Sequence, residues 1–288
     1  MGELYGWFGG GSGTSTVNRI DYAIDTNTAS VRGPLSSTNR AITATGNTTN
    51  GWFGGGASGG PRSTVDRITY TTDTATASVR GPLSAGRYYL AGSGNETNGW
   101  FGGGHGPLST VDRITYATDT ATASARGPLS LARYGLAAVG NATDTWFIAG
   151  FIFPIGQVSN IDRITYATDT ATASARGPLS LARYYLAATG NANFGWVGGD
   201  ASTNSSIERI TYATDTATAS VRGQLSLARN RLAASGNNTD GWFGGGTVPP
   251  GASTVDRITY ATDTATATVR GPLSSARYNV AAAGGFPG

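Results

Sequence analysis

Tyr184-Tyr185-Leu186-Ala187-Ala188, Trp196-Val197-Gly198-Gly199, Ile207-Glu208-Arg209-Ile210-Thr211-Tyr212 and Thr216-Ala217-Thr218-Ala219-Ser220-Val221 follow one another within a single stretch of chain. Each run is short, apolar or rich in β-branched residues. Turn formers separate them: Gly190-Asn191 follows the first, and Thr214-Asp215-Thr216 lies between the last two. No run holds a 3.6-residue period, and glycine and proline interrupt the chain too often for long helices. The stretch predicts four strands, with Asp215 capping its own backbone in a hairpin bend.

The same unit recurs along the chain. Arg-Ile-x-Tyr begins at Arg19, Arg67, Arg113, Arg163, Arg209 and Arg257, at steps of 48, 46, 50, 46 and 48 residues. The six tryptophans form one column, Trp7, Trp52, Trp100, Trp146, Trp196 and Trp242. Two more arginine columns run through Arg32, Arg80, Arg126, Arg176, Arg222 and Arg270, and through Arg40, Arg87, Arg133, Arg183, Arg229 and Arg277. Six units of four strands predict an all-β, six-bladed β-propeller occupying 1–288 as one domain. The chain starts on a second strand at Trp7 and ends on a first strand, Arg277 to Ala283. The two are expected to pair in a composite blade and so remove open sheet edges.

The order of apolar-Gly-Gly, Val-Asp-Arg-Ile-Thr-Tyr, an Asp-Thr turn and Pro-Leu-Ser-x-Ala-Arg resembles the kelch repeat over nearly the whole chain. It departs from that repeat after the turn, where Ala121-Thr122-Ala123 replaces a large aromatic, and its tryptophan precedes the glycines. The closely similar, lysine-free units also resemble kelch-type propellers of phages and environmental viruses. That resemblance implies a virion-attached, receptor-binding or scaffold part, located at a virion or extracellular surface, with other virion proteins as partners.

Composition narrows the chemistry. There is no cysteine, so disulfides, thiolate nucleophiles and sulfur-ligated metals are excluded, as is the chemistry of the copper-radical oxidases that share the kelch fold, which needs cysteine and more than the one histidine present. His105 is the lone histidine, which reads as surface decoration. The acids outside the repeat are Glu3, Asp21, Glu96, Asp144, Asp200 and Asp240, and glycoside chemistry would need two of them close together. The repeated acids and arginines are expected to pair between blades. Without lysine or a basic run, nucleic acid is not expected as a partner. No cofactor, metal site or membrane span is expected, and Met1-Gly2-Glu3-Leu4-Tyr5 does not read as a secretory signal. Asn47, Asn95, Asn141 and Asn237 each begin an Asn-x-Thr triplet, read as turn residues rather than glycan acceptors.

Spacing locates the variable part. From the arginine of Arg-Ile-x-Tyr to the next tryptophan is always 33 residues, whereas tryptophan to arginine takes 12, 15, 13, 17, 13 and 15. All length variation therefore lies between the second and third strands, on one face of the ring, as a binding scaffold requires. The longest of these segments holds Phe151, Ile152, Phe153, Pro154 and Ile155, a partner-contact loop or a plug over the ring. The expected function is a non-enzymatic structural and binding propeller that takes a protein partner through this face. A lectin-like propeller displaying its tryptophans to a surface glycan is the alternative, and a glycoside-active enzyme is less favoured.

Overall fold

The computed structural model describes residues 2–201, 204–248 and 251–284. They form six four-stranded antiparallel sheets arranged as a propeller, numbered blades 1 to 6 in chain order from the one that holds Tyr5–Gly9. Blade 5 shows the unit: strands Ala187–Gly190, Phe194–Gly198, Ser206–Thr211 and Ser220–Gln224, in sequence order from the channel outward. In blade 1 the innermost strand is Ala281–Gly284, hydrogen-bonded to Tyr5–Gly9 with Trp7 opposite Ala283. The two ends of the chain thus complete one sheet, as the repeat phase predicts.

Element boundaries differ from the sequence reading in three places, each for a physical reason. Tyr184 and Tyr185 precede the innermost strand, because Tyr185 has a φ of +59°, which no extended strand accommodates. Tyr212 leaves the third strand and opens a 3-10 turn, Tyr212–Thr214, which swings its ring onto the preceding blade. The fourth strand begins only at Ser220. Thr216 to Thr218 lie in an exposed turn, and Asp215 is buried with its carboxylate turned outward to the neighbouring blade rather than to its own backbone.

That carboxylate is the centre of a joint made six times. Trp146 of blade 4 donates Nε1–H to Asp215 at 2.8 Å, and Arg163 reaches the same oxygen at 3.1 Å. The indole lies on Tyr212 with centroids 3.9 Å apart and planes 6° apart. The other joints are Trp7, Arg19 with Asp73 and Tyr70; Trp52, Arg67 with Asp119 and Tyr116; Trp100, Arg113 with Asp169 and Tyr166. Trp196, Arg209 with Asp263 and Tyr260, and Trp242, Arg257 with Asp25 and Tyr22 complete the circle. The last pair carries blade 6 onto blade 1. The second arginine column, Arg32 to Arg270, adds a guanidinium beside the same six carboxylates.

Close packing explains much of the glycine. A Cβ on Gly54 would stand 2.8 Å from the Phe101 ring of the next blade, and one on Gly81 would stand 1.9 Å from the Ala121 carbonyl oxygen.

Candidate functional site

The third arginine column locks each blade to its own link. Arg87 is fully buried and donates to the carbonyls of Phe101, Gly103 and Thr110 and to Asp112, all in blade 3. Arg133 with Asp162, Arg183 with Glu208 and Arg229 with Asp256 repeat the pairing. The expectation of inter-blade pairing holds for the first two arginine columns and not for this one, whose contacts lie within a blade and its entering link.

Two blades depart from the pattern in opposite directions. Arg277 enters blade 1, where Asn18 replaces the acid, and it is held by Asn18 Oδ1 and the carbonyls of Phe8, Gly10 and Thr16. Burial without a carboxylate pushes its guanidinium down to about 10. In blade 2 the expected Arg40 is exposed. Asn39 takes the buried position instead, donating to the Gly55 carbonyl. Asp66 is then left without a buried arginine, and burial raises its carboxyl above the usual range despite bonds to Ser36. The alignment by arginine placed Arg40 one residue off, because the backbone bond of Asn39 N–H to Thr14 matches that of Arg87 N–H to Arg62.

All six tryptophans are buried, at most 1% exposed. They are joint residues and offer no platforms to a glycan, so the observation on which a lectin-like reading rested is removed. The first two arginine columns face the six turn carboxylates, and the third, apart from Arg40, is held by buried acids, Asn18 and carbonyls. Four of the off-repeat acids serve turns and strands: Asp21 accepts from Ala23 N–H, Glu96 from Thr48, Asp144 from Thr165 and Asp240 from Thr259. Asn47, Asn95, Asn141 and Asn237 accept two backbone N–H bonds each in their turns. Among the described residues no group of three His, Asp or Glu side chains could hold a metal ion, and no helix is long and apolar enough to cross a membrane.

The variable-loop face is where the six-fold pattern breaks. The segment expected as a loop is a long β-hairpin, Asp144–Ile152 paired with Gly156–Thr165, with a register shift between Ile148 and Gly150. Its turn holds Phe153, Pro154 and Ile155, with Phe153 74% and Ile155 76% exposed. Phe151 and Ile152 are half-buried. The hairpin therefore projects from the ring and does not plug it.

Beside the hairpin base lies a crescent of aromatic rings that the sequence reading missed. Phe151 packs on Tyr134 at 5.4 Å and on Tyr184 at 5.1 Å, and Tyr184 on Tyr185 at 4.5 Å. Tyr185 meets Tyr89 at 4.7 Å, Tyr88 meets Tyr89 at 5.2 Å, and His105 stacks on Tyr88 at 4.6 Å. His105 is therefore part of a cluster rather than isolated decoration. The available signal is the column Ala41, Tyr89, Gly135, Tyr185, Arg231 and Asn279, which varies widely in residue type while the next position is always aliphatic, from Ile42 and Leu90 to Val280.

That column also closes the mouth of the channel. Its residues all have φ between +55° and +65°, and each N–H donates to the carbonyl of the preceding member: Tyr89 to Ala41, Gly135 to Tyr89, Tyr185 to Gly135, Arg231 to Tyr185, Asn279 to Arg231 and Ala41 to Asn279. Six hydrogen bonds of 2.7–3.1 Å form an unbroken circle. Beneath it opens a cavity of about 110 Å³, and a second of about 110 Å³ opens on the turn face; both are walled in part by Ala138, Ala188, Ala234 and Ala282. No protein-family model matches the chain, and no curated protein matches it.

Proposed function

We propose that the protein is a non-enzymatic structural and binding propeller that engages a protein partner through its variable-loop face, with the hairpin of blade 4 as the anchor. The observation that carries this reading is the pair of large apolar side chains, Phe153 and Ile155, held in water at the tip of a nine- and ten-residue strand pair. Exposed apolar groups on a rigid projection suit the desolvated centre of an interface. The resemblance to viral kelch-type propellers makes a virion attachment or scaffold role the most specific form of the proposal.

The test places a photo-crosslinking phenylalanine analogue at position 153 and, as a control, at Val79, an exposed outer-strand position. Illumination in the native host mixture should give a discrete protein adduct from position 153 alone. Equal labelling from both positions, or none from 153, would reject the hairpin as the anchor.

A further inference from the structure

We infer that the channel mouth is a binding site for a sugar carrying one carboxylate, of the hexuronate or sialate kind, with Arg231 holding the carboxylate and Tyr185, Tyr89 and Tyr134 presenting ring faces and hydroxyls to the polyol.

Arg231 is the cation at the mouth, and no ion pair engages it among the described residues, in contrast to the arginines of the two outer columns. Its guanidinium lies 4.5 Å over the Tyr185 ring and also acts on the Tyr185 hydroxyl, so an incoming anion would meet the two side chains together. Asn279, only 6% exposed, lines the same cavity.

The backbone decides between a sugar and a peptide. At the mouth every N–H and carbonyl of the six-residue circle is already bonded to its neighbour, so an extended peptide finds no free main-chain ladder to join. Recognition there falls to side chains. Burial and neighbouring phenols raise the Tyr134 and Tyr185 hydroxyls, which stay protonated at neutral pH and can both donate and accept. Aromatic faces, hydroxyls and one arginine match the C–H faces, hydroxyls and carboxylate of an acidic sugar. The crescent spans only blades 3 to 5, so one site is expected and not six.

The site is separate from the hairpin-tip contact. Glucuronate, N-acetylneuraminate, glucose and a short acidic peptide are titrated against the full chain by ligand-observed NMR. Saturable binding of either acidic sugar is expected, with a dissociation constant on the order of 1 mM and with glucose about tenfold weaker. Arg231→Gln and Arg231→Lys should each weaken the acidic sugar about tenfold, since neither presents a bidentate fork. Tyr134→Ala should weaken acidic and neutral sugars alike, and Phe153→Ser should change neither. Thermal melts verify that each variant is folded. Binding unchanged in Arg231→Gln, no saturation by either acidic sugar, or binding of the acidic peptide alone would overturn the assignment.

Discussion

The indole of Trp52 lies flat on the phenol of Tyr116 in the next blade, with ring centroids 3.7 Å apart and planes within 6°. The stack fixes where the indole N–H points, and it points at Asp119, 2.8 Å away. Arg67 donates to the same oxygen at 3.0 Å, and Arg80 lies 3.6 Å from it. One carboxylate therefore satisfies a buried N–H and faces two guanidinium groups across a blade boundary.

Asp119→Ala should destabilise the fold by roughly 3 kcal/mol, because it strands the indole N–H and two partly buried cations together. Asp119→Asn keeps an acceptor for Trp52 and should cost less. Urea unfolding of the two variants checks the order, and equal losses would show that the charge facing Arg67 and Arg80, and not the acceptor for Trp52, carries the joint.

Blades 1 and 2 provide a reciprocal test of the buried pair. Asn18→Asp places a carboxylate where Asn18 Oδ1 already meets Arg277 at 2.6 Å, and the hydroxyl of Ser274 can donate to it as Ser130 does to Asp162. The new carboxylate gains a partner on folding, so its pKa falls. Its stabilisation is present above about pH 4 and is lost as pH falls through the lowered value. Melting temperature should rise at pH 7 and converge with the parent near pH 3.

Asn39→Arg approaches the mismatch from the other side. In the parent, Asp66 has a raised pKa, so its ionised form is disfavoured by folding. That penalty is absent below the unfolded carboxylate range near pH 4 and fully present once pH exceeds the folded value. An arginine at 39 supplies the missing cation, and the gain over the parent should be larger at pH 7 than at pH 4. A gain independent of pH would show that packing, not charge, was restored.

The extent to which the sequence foretold this arrangement follows the range of the interactions. Trp52 and Arg67 stand in columns, and Asp119 repeats the turn aspartate seen at Asp215, because duplication copies residue types. That they meet was not, since Asp119 lies 67 residues beyond Trp52 and only the turn of one blade around its neighbour joins them. Tyr185 was read as strand because nothing in a tyrosine announces a left-handed backbone. The conformation costs about 1–2 kcal/mol and persists because the six-bond circle imposes it. Spacing alone makes the extra residues after Trp146 a loop, whereas strand pairing runs on through Ile152 and Gly156, with Gly150 at a register shift and Pro154 in the turn.

Ring closure depends on the same long reach. Removing residues 277–288 deletes both the innermost strand of blade 1 and Arg277, whose donors hold the carbonyls of Phe8, Gly10 and Thr16. It also breaks the circle at Asn279. The truncated chain should lose cooperative unfolding and form soluble aggregates through the exposed edge of Tyr5–Gly9. Size-exclusion chromatography and far-UV circular dichroism report both effects, and a monomeric, cooperatively melting product would refute the closure argument.

The hairpin tip makes the opposite prediction. Phe153 and Ile155 are largely exposed, so the double variant Phe153→Ser, Ile155→Ser removes little buried surface and should leave the melting temperature within about 1 °C. Phe151 is different. It exchanges two backbone hydrogen bonds with Tyr134 and packs between Tyr134 and Tyr184, so Phe151→Ala should lower stability by about 1–2 kcal/mol. If the tip served the fold, the serine variant would melt early. If it serves a partner, that variant keeps its stability, and Ile155→Ser alone weakens the adduct formed by the crosslinking analogue at position 153.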